Sequence, residues 1–188
     1  LNFDLFGGRI RPLHQDAFCA ALLALMAVQG CANLQQQRSI VGEYSNVPQE
    51  ELFDWIQKNT REDAVFAGTM PTMANLKLST GRPIVNHPHY EDAGLRERTL
   101  RVYQLYSRKP PAEVHRTLKD MGVEFVAFEY AWCAQTTAHP ECSLPYSWDQ
   151  IDDANRGRKP LCDVINDGDD IEPFRVVYKN KHYKLLAV

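Results

Sequence analysis

Hydrophobic positions along this chain change spacing several times, and each change marks an element. Leu52, Phe53 and Ile56 form one face of a helix predicted from Pro48 to about Lys58, with Trp55 at its edge. Asn46 stands as its N-cap, Pro48 lies in the first turn and Gln49 takes the capping-box position, while Glu50 and Glu51 complement the helix dipole. A turn over 59–63 feeds a short buried strand, Val65 to Ala67. Gly68 and Pro71 punctuate the start of a second helix, and Ile84-Val85 reads as another short strand. Between Asp92 and Ser107, Leu95, Thr99, Val102, Tyr103 and Tyr106 recur at helical spacing, with Arg96, Arg98 and Arg101 towards other faces. Pro110-Pro111 stops that helix and opens the next, in which Val114, Leu118 and Met121 share a side and Gly122 occupies C′. Val123 to Tyr130 follows as a strongly apolar strand.

The end of the chain changes character. Phe174 to Lys179 and His182 to Ala187 are two strand patterns joined at Asn180-Lys181, an antiparallel hairpin expected at the sheet edge. Ala131 to Ile171 is long, irregular and rich in Asp, Pro and Gly, and a loop of that kind inside a domain calls for a staple. Cys133, Cys142 and Cys162 are the candidates. Closing Cys133 to Cys142 in an oxidising compartment is worth on the order of 2–3 kcal/mol, with Cys162 then free or competing for Cys133; three buried reduced thiols are the alternative. Short joints between strands and helices predict an α/β fold: a mixed sheet with flanking helices, at least one parallel crossover and the C-terminal hairpin.

Composition narrows the function. With 188 residues, of which 44% are hydrophobic, the chain can bury one good core. A net charge of −3 and scattered Lys and Arg give no basic field for nucleic acid. Leu1 in place of methionine reads as a fragment or a processed product. Arg9 and Arg11 precede Ala17 to Val28, a run without a polar side chain, which continues with little charge to Leu34. The apolar run alone is shorter than the ~20 residues a membrane span needs, yet no face is polar enough for a soluble surface helix. A buried core helix and a membrane helix whose N-terminal side is cytoplasmic both fit. Gln35 to Tyr44 reads as a polar connector.

The chemistry concentrates after Val85. Asn86, His87, His89, Tyr90, Glu91 and Asp92 are interrupted only by Pro88, and a polar loop just past a strand end is where α/β folds carry sites. His87, His89 and Asp92 could ligate a metal, but no third histidine stands near and no cysteine pair has finger spacing. His87 with Ser79 or Thr80 could form a hydrolase dyad, but no nucleophile elbow surrounds either hydroxyl. Hydrogen bonding of a polar or aromatic ligand by His87, His89 and Tyr90, with Arg96 as charge partner, needs fewer assumptions. The plainest alternative is a turn that caps the helix beginning at Asp92.

Several segments together carry a family likeness: Pro48 to Ile56, Asp63 to Ala74, Arg82 to Arg96, Val102 to Lys109, Trp132-Cys133 and Pro160 to Cys162. They resemble the C-terminal region of the Dumpy-nineteen family of protein tryptophan C-mannosyltransferases, from about Ala27 onward. The likeness implies a multi-pass endoplasmic-reticulum membrane enzyme of the GT-C type. Residues 1–34 would then be a membrane-proximal segment and the end of the last transmembrane helix, and 35–188 a lumenal α/β domain with oxidised cysteines. It implies transfer of mannose from dolichyl-phosphate mannose to C2 of tryptophan in Trp-x-x-Trp or Trp-x-x-Cys acceptors, with no metal or other cofactor. The proton-accepting carboxylate would lie in a membrane part outside this chain, so this region alone would be inactive and its role would be to bind acceptor and donor. Met70, Thr72 and Met73 are expected as a wall near the acceptor, and His87, His89, Tyr90 and Asp92 as the polar side, with Arg96 nearby. The competing expectation is a binding module, either non-catalytic or holding metal through His87, His89 and Asp92. Of the family pattern before the apolar run, Leu1 to Asp16 shows only Leu5-Phe-Gly-Gly.

Overall fold

The computed structural model describes residues 12–40, 46–89, 91–134, 140–168 and 170–188. Two units emerge, Leu1–Tyr44 and Ser45–Val188. In the first, one helix, α1 (Pro12–Ser39), carries the apolar run, and its residues from His14 onward are solvent-exposed. Its stretch His14–Ser39 is 26 residues long and contains an 18-residue window with a mean hydropathy of 1.8, sufficient in length and composition to cross a bilayer. The helix runs five residues past the predicted end at Leu34, because Gln35-Gln-Gln37 are good helix formers and Arg38 complements the dipole in the last turn.

The second unit places a five-stranded sheet between two helical layers. Its elements are α2 (Val47–Asn59), β1 (Phe66–Gly68), α3 (Met70–Thr80), α4 (Ala93–Val102), α5 (Pro111–Asp120), β2 (Phe125–Glu129), α6 (Leu144–Asp149), α7 (Leu161–Asp167), β3 (Asp170–Ile171), β4 (Phe174–Lys179) and β5 (Tyr183–Ala187). The strand order is β1-β2-β5-β4-β3, with β1 and β2 parallel and every other pair antiparallel. The mixed α/β sheet with a C-terminal hairpin is as the sequence predicts. The hairpin sits deeper than expected, however: β5 is the central strand, and the two-residue β3 closes the outer edge beyond β4. Leu185 and Leu186 are both wholly buried, on opposite faces, because helices cover both sides of the sheet at this strand.

Alternation along β2 divides the core. Val126 and Phe128 face a cluster built from α4, the 3-10 turn Tyr103–Tyr106, α5, α6 and α7, where Val102, Tyr106, Val114, Leu118, Trp148 and Ile165 pack. Ala127 faces the opposite cluster, in which Leu52, Phe53 and Ile56 of α2 meet Met73 and Leu76 of α3. Each large side chain so buried stabilises the fold by roughly 1.5–3 kcal/mol. Gly122, at φ 75°, ends α5 in the left-handed conformation that its C′ position requires.

Residues 131–171 are not structureless where they are described. The α6 and α7 helices fold onto the first cluster, and Trp148 and Cys162 are buried there. The staple is Cys133–Cys162, with Cα atoms 5.9 Å apart. Cys142 is exposed and free, so the 133–142 pairing does not form. Arg108 adds a two-pronged ion pair to Asp149, Nε to Oδ1 at 2.6 Å and Nη2 to Oδ2 at 2.9 Å. From β5, the Lys184 ammonium donates to the carbonyls of Ile165, Asn166 and Gly168 at 2.9–3.0 Å, neutralising the C-terminal end of α7.

Candidate functional site

Backbone polarity fixes how the loop after α3 is held. Arg82 is 8% exposed, and its guanidinium donates to the carbonyls of Gln57, Thr60 and Thr80, joining the C-terminal ends of α2 and α3. The predicted Ile84-Val85 strand reduces to one parallel bridge, Ile84 to Phe66 of β1. Asn86, wholly buried, donates from Nδ2 to the Gly68 carbonyl at 2.8 Å, and its Oδ1 has no partner among the described residues. This bond docks the loop against the carboxyl end of β1.

The polar loop then divides into parts with different surroundings. The half-buried His87 keeps a buried Nδ1 without a partner among the described residues, and its ring stacks on that of His89 at 4.3 Å and 24°. His89 is exposed and its Nδ1 lies 3.1 Å from Glu91 Oε1. Asp92 accepts from the Leu95 amide at 2.7 Å, so its carboxylate is the N-cap of α4. Arg96 lies exposed on the first turn of that helix, and Tyr90 falls outside the described residues. His87, His89 and Asp92 are not gathered into a ligand set. Among the described residues, the one group of three metal-ligating side chains is Cys133, Cys162 and Asp163, and its two sulfurs are bonded to each other.

At the same end of the sheet, the carboxyl ends of β1 and β2 hold a second constellation. Thr69 precedes α3 but does not cap it through its side chain. Its hydroxyl lies 3.0 Å from that of Thr72, and both lie 3.3 Å from Glu129 Oε2 at the end of β2. The Trp132 indole N–H donates to the same oxygen at 3.0 Å. Neutral donors thus hold the carboxylate; among the described residues it forms no ion pair. Tyr106 donates to the Glu129 carbonyl at 3.0 Å, and burial, followed by the Glu129 charge, pushes its phenol well above the usual range. The same two causes, in that order, raise Tyr183. A cleft of about 250 Å³ opens beside this carboxylate, walled by Phe128, Tyr130, Asn180, His182 and Tyr183.

Three expected wall residues occupy different depths. The Met70 amide donates to the Tyr103 hydroxyl at 3.0 Å, and its side chain is half-buried. Thr72 is buried but polar, on Glu129. Met73 is wholly buried beneath Gly68, where an added Cβ would sit 2.9 Å from its methyl carbon and 2.7 Å from the Ala127 carbonyl. Met73 therefore shapes the end of β1 from inside the core and presents no surface.

A family profile described as "Dpy19: Q-cell neuroblast polarisation" matches residues 3–188. The chain belongs to the Dpy19 family. Human "Protein C-mannosyl-transferase DPY19L1" is 52% identical over 186 residues, 98% of this chain and 27% of that protein. The "C-mannosyltransferase dpy-19" of Caenorhabditis elegans is 48% identical over 195 residues, 100% of this chain and 29% of that protein. This Dpy19 chain thus spans less than a third of the length of either relative. Among solved structures, the C-terminal globular domain of an oligosaccharyltransferase from Archaeoglobus fulgidus is similar at a TM-score of 0.48 and 13% identity, over 77% of this chain and 98% of that one. In the Dpy19 chain one sheet end holds the expected Met70 and Thr72, with the His87 loop docked beside it through Asn86, together with Trp132, named in the sequence only as part of the family likeness, and Glu129 and Tyr183, which the sequence reading did not single out. The available signal was an apolar strand, Phe125 to Phe128, ending in a carboxylate at a parallel strand terminus.

Proposed function

We propose that this chain is the C-terminal part of a membrane C-mannosyltransferase, and that the carboxyl ends of β1 and β2 face the reaction compartment. The whole enzyme transfers mannose from dolichyl-phosphate mannose to C2 of tryptophan in Trp-x-x-Trp or Trp-x-x-Cys acceptors. Family membership over residues 3–188, with relatives named as C-mannosyltransferases at 48–52% identity, carries the reading. The α1 helix, long and apolar enough to cross a bilayer, supports a membrane-proximal part, here taken as 1–34 ahead of a lumenal domain (35–188), with the helix continuing to Ser39. The whole protein is read from family membership as a multi-pass protein of the endoplasmic reticulum. The Cys133–Cys162 bond suits that oxidising lumen.

In this reading, the proton-accepting carboxylate comes from the membrane part, and this domain positions substrate. Met70, His87, His89, Tyr90 and Arg96 border acceptor and donor, while Thr72 and Met73 from the interior and Asp92 from the α4 cap hold the frame. Transfer needs no metal or other cofactor. The test is mannose transfer to a Trp-x-x-Trp peptide by the full-length protein in microsomes supplied with dolichyl-phosphate mannose. Wild type should transfer, and His87→Ala should lose at least tenfold in rate at unchanged expression and folding. Absence of transfer by the folded wild type overturns the reading.

A further inference from the structure

The two sulfurs of the Cys133–Cys162 bond have different surroundings. Cys162 is wholly buried, whereas Cys133 borders a cleft of about 380 Å³ together with Arg108, Tyr130 and Asp163. A space of that size admits a small thiol, so the cleft offers a reductant one sulfur of the bond, Cys133 Sγ. Asp163 stands beside it. Its Oδ1 lies 3.4 Å from Cys133 Sγ, a disulfide sulfur with no proton to donate. The Tyr130 hydroxyl donates to the same oxygen at 3.2 Å and fixes the carboxylate there. Among the described residues Asp163 forms no ion pair. The two cations whose charges reach it are engaged elsewhere, Arg108 forked onto Asp149 and Lys159 paired with Asp167. One negative charge without a neutralising partner therefore faces the attackable sulfur.

We propose that Asp163 is an electrostatic guard on the Cys133–Cys162 bond: reduction enters through the cleft at Cys133, and the carboxylate slows it by repelling the thiolate that attacks there. In the first step a thiolate R–S⁻ bonds to Cys133 Sγ and the Cys133–Cys162 bond breaks, its electron pair leaving on Cys162, which takes up a proton. In the second, another thiolate attacks the R sulfur of the mixed disulfide, forming R–S–S–R and releasing Cys133 as a thiolate. The protein disulfide gains two electrons and two R–S⁻ are oxidised. The incoming charge passes Asp163 in the first step, inside a cleft where like charges repel more strongly than in open water. Anionic thiols are slowed most, so the bond that staples α7 to the end of β2 outlasts exposure to them. The guard holds whatever reaction the whole protein performs.

Three small monothiols separate charge from access: cysteamine, 2-mercaptoethanol and 2-mercaptoethanesulfonate, whose thiolate forms are neutral overall, singly negative and doubly negative. Folded full-length protein is treated with each at equal thiolate concentration, and the free and mixed-disulfide cysteines are trapped and mapped by mass spectrometry over time. Wild type should react fastest with cysteamine and slowest with the sulfonate, and the first mixed disulfide should form on Cys133. Asp163→Asn keeps the side-chain volume and the acceptor for Tyr130 but removes the charge. It should accelerate the sulfonate about tenfold and 2-mercaptoethanol about threefold, and change cysteamine by less than about twofold. Raising the ionic strength should narrow the wild-type spread in the same order, a readout that needs no substitution. Equal acceleration of all three thiols in Asp163→Asn means that the substitution merely opens the segment, and overturns the guard. A wild type indifferent to thiol charge and to salt overturns it too, as does a first mixed disulfide on Cys162.

Discussion

Removing the Cys133–Cys162 bond is the sharpest test of how the region after β2 is held. The bond joins residues 29 apart in sequence, and closing a loop of that length removes about 3.5 kcal/mol of unfolded-chain entropy at room temperature. Both positions are nearly or wholly buried, at 3% and 0% exposure, so the Cys133→Ala/Cys162→Ala variant also leaves two small voids costing about 1 kcal/mol in all. The rival pairing with Cys142 would close a far shorter loop, worth about 1 kcal/mol less. Urea unfolding of the compact Ser45–Val188 unit under non-reducing conditions, read by fluorescence of the buried Trp148, should show a loss of about 4.5 kcal/mol. Peptide mapping of the whole chain without reductant should recover the 133–162 link and leave Cys19, Cys31 and Cys142 available to alkylation. A loss below about 1 kcal/mol refutes the staple argument, because the segment would then be constrained equally well without the bond.

Asp92→Ala should cost about 1 kcal/mol through loss of the α4 cap, whereas Asp92→Asn keeps both the cap and mannose transfer; inactive but stable Asp92→Asn would show a second role for the carboxylate. Gly68→Ala should destabilise by roughly 1–3 kcal/mol, measured by chemical denaturation, because its Cβ would meet the Ala127 carbonyl at 2.7 Å; an unchanged midpoint would mean that β1 and β2 can separate. Tyr106 and Tyr183 hold their protons to higher pH when folded than the ordinary value of 10.0, so their contribution is complete below pH 10 and is lost as pH rises through their folded values. The urea midpoint should therefore fall above pH 10, and less steeply in Tyr106→Phe; a flat midpoint to pH 11.5 contradicts the burial argument.

Legibility in the sequence followed the range of the interactions. The α2 cap at Asn46, the Gly122 terminus of α5 and the alternation of β2 are local, and each appears where the spacing of residues predicts it. The sheet position of β5 depends on its pairing with β2, which no local pattern encodes. The same limit explains the site. His87 and Asp92 stand five residues apart in a conspicuous polar run, yet the Asp92 carboxylate is engaged by the Leu95 amide of α4 while His87 retains a buried ring nitrogen. Glu129 closes an apolar strand and resembles any solvent-facing terminus in sequence. Only the parallel register of β1 and β2 brings Thr69 and Thr72 to its carboxylate from 60 and 57 residues away. Because those hydroxyls take Oε2 while the cleft lies alongside, the chemistry of this sheet end is a product of strand order, and swapping residues within the polar loop alone would leave it standing.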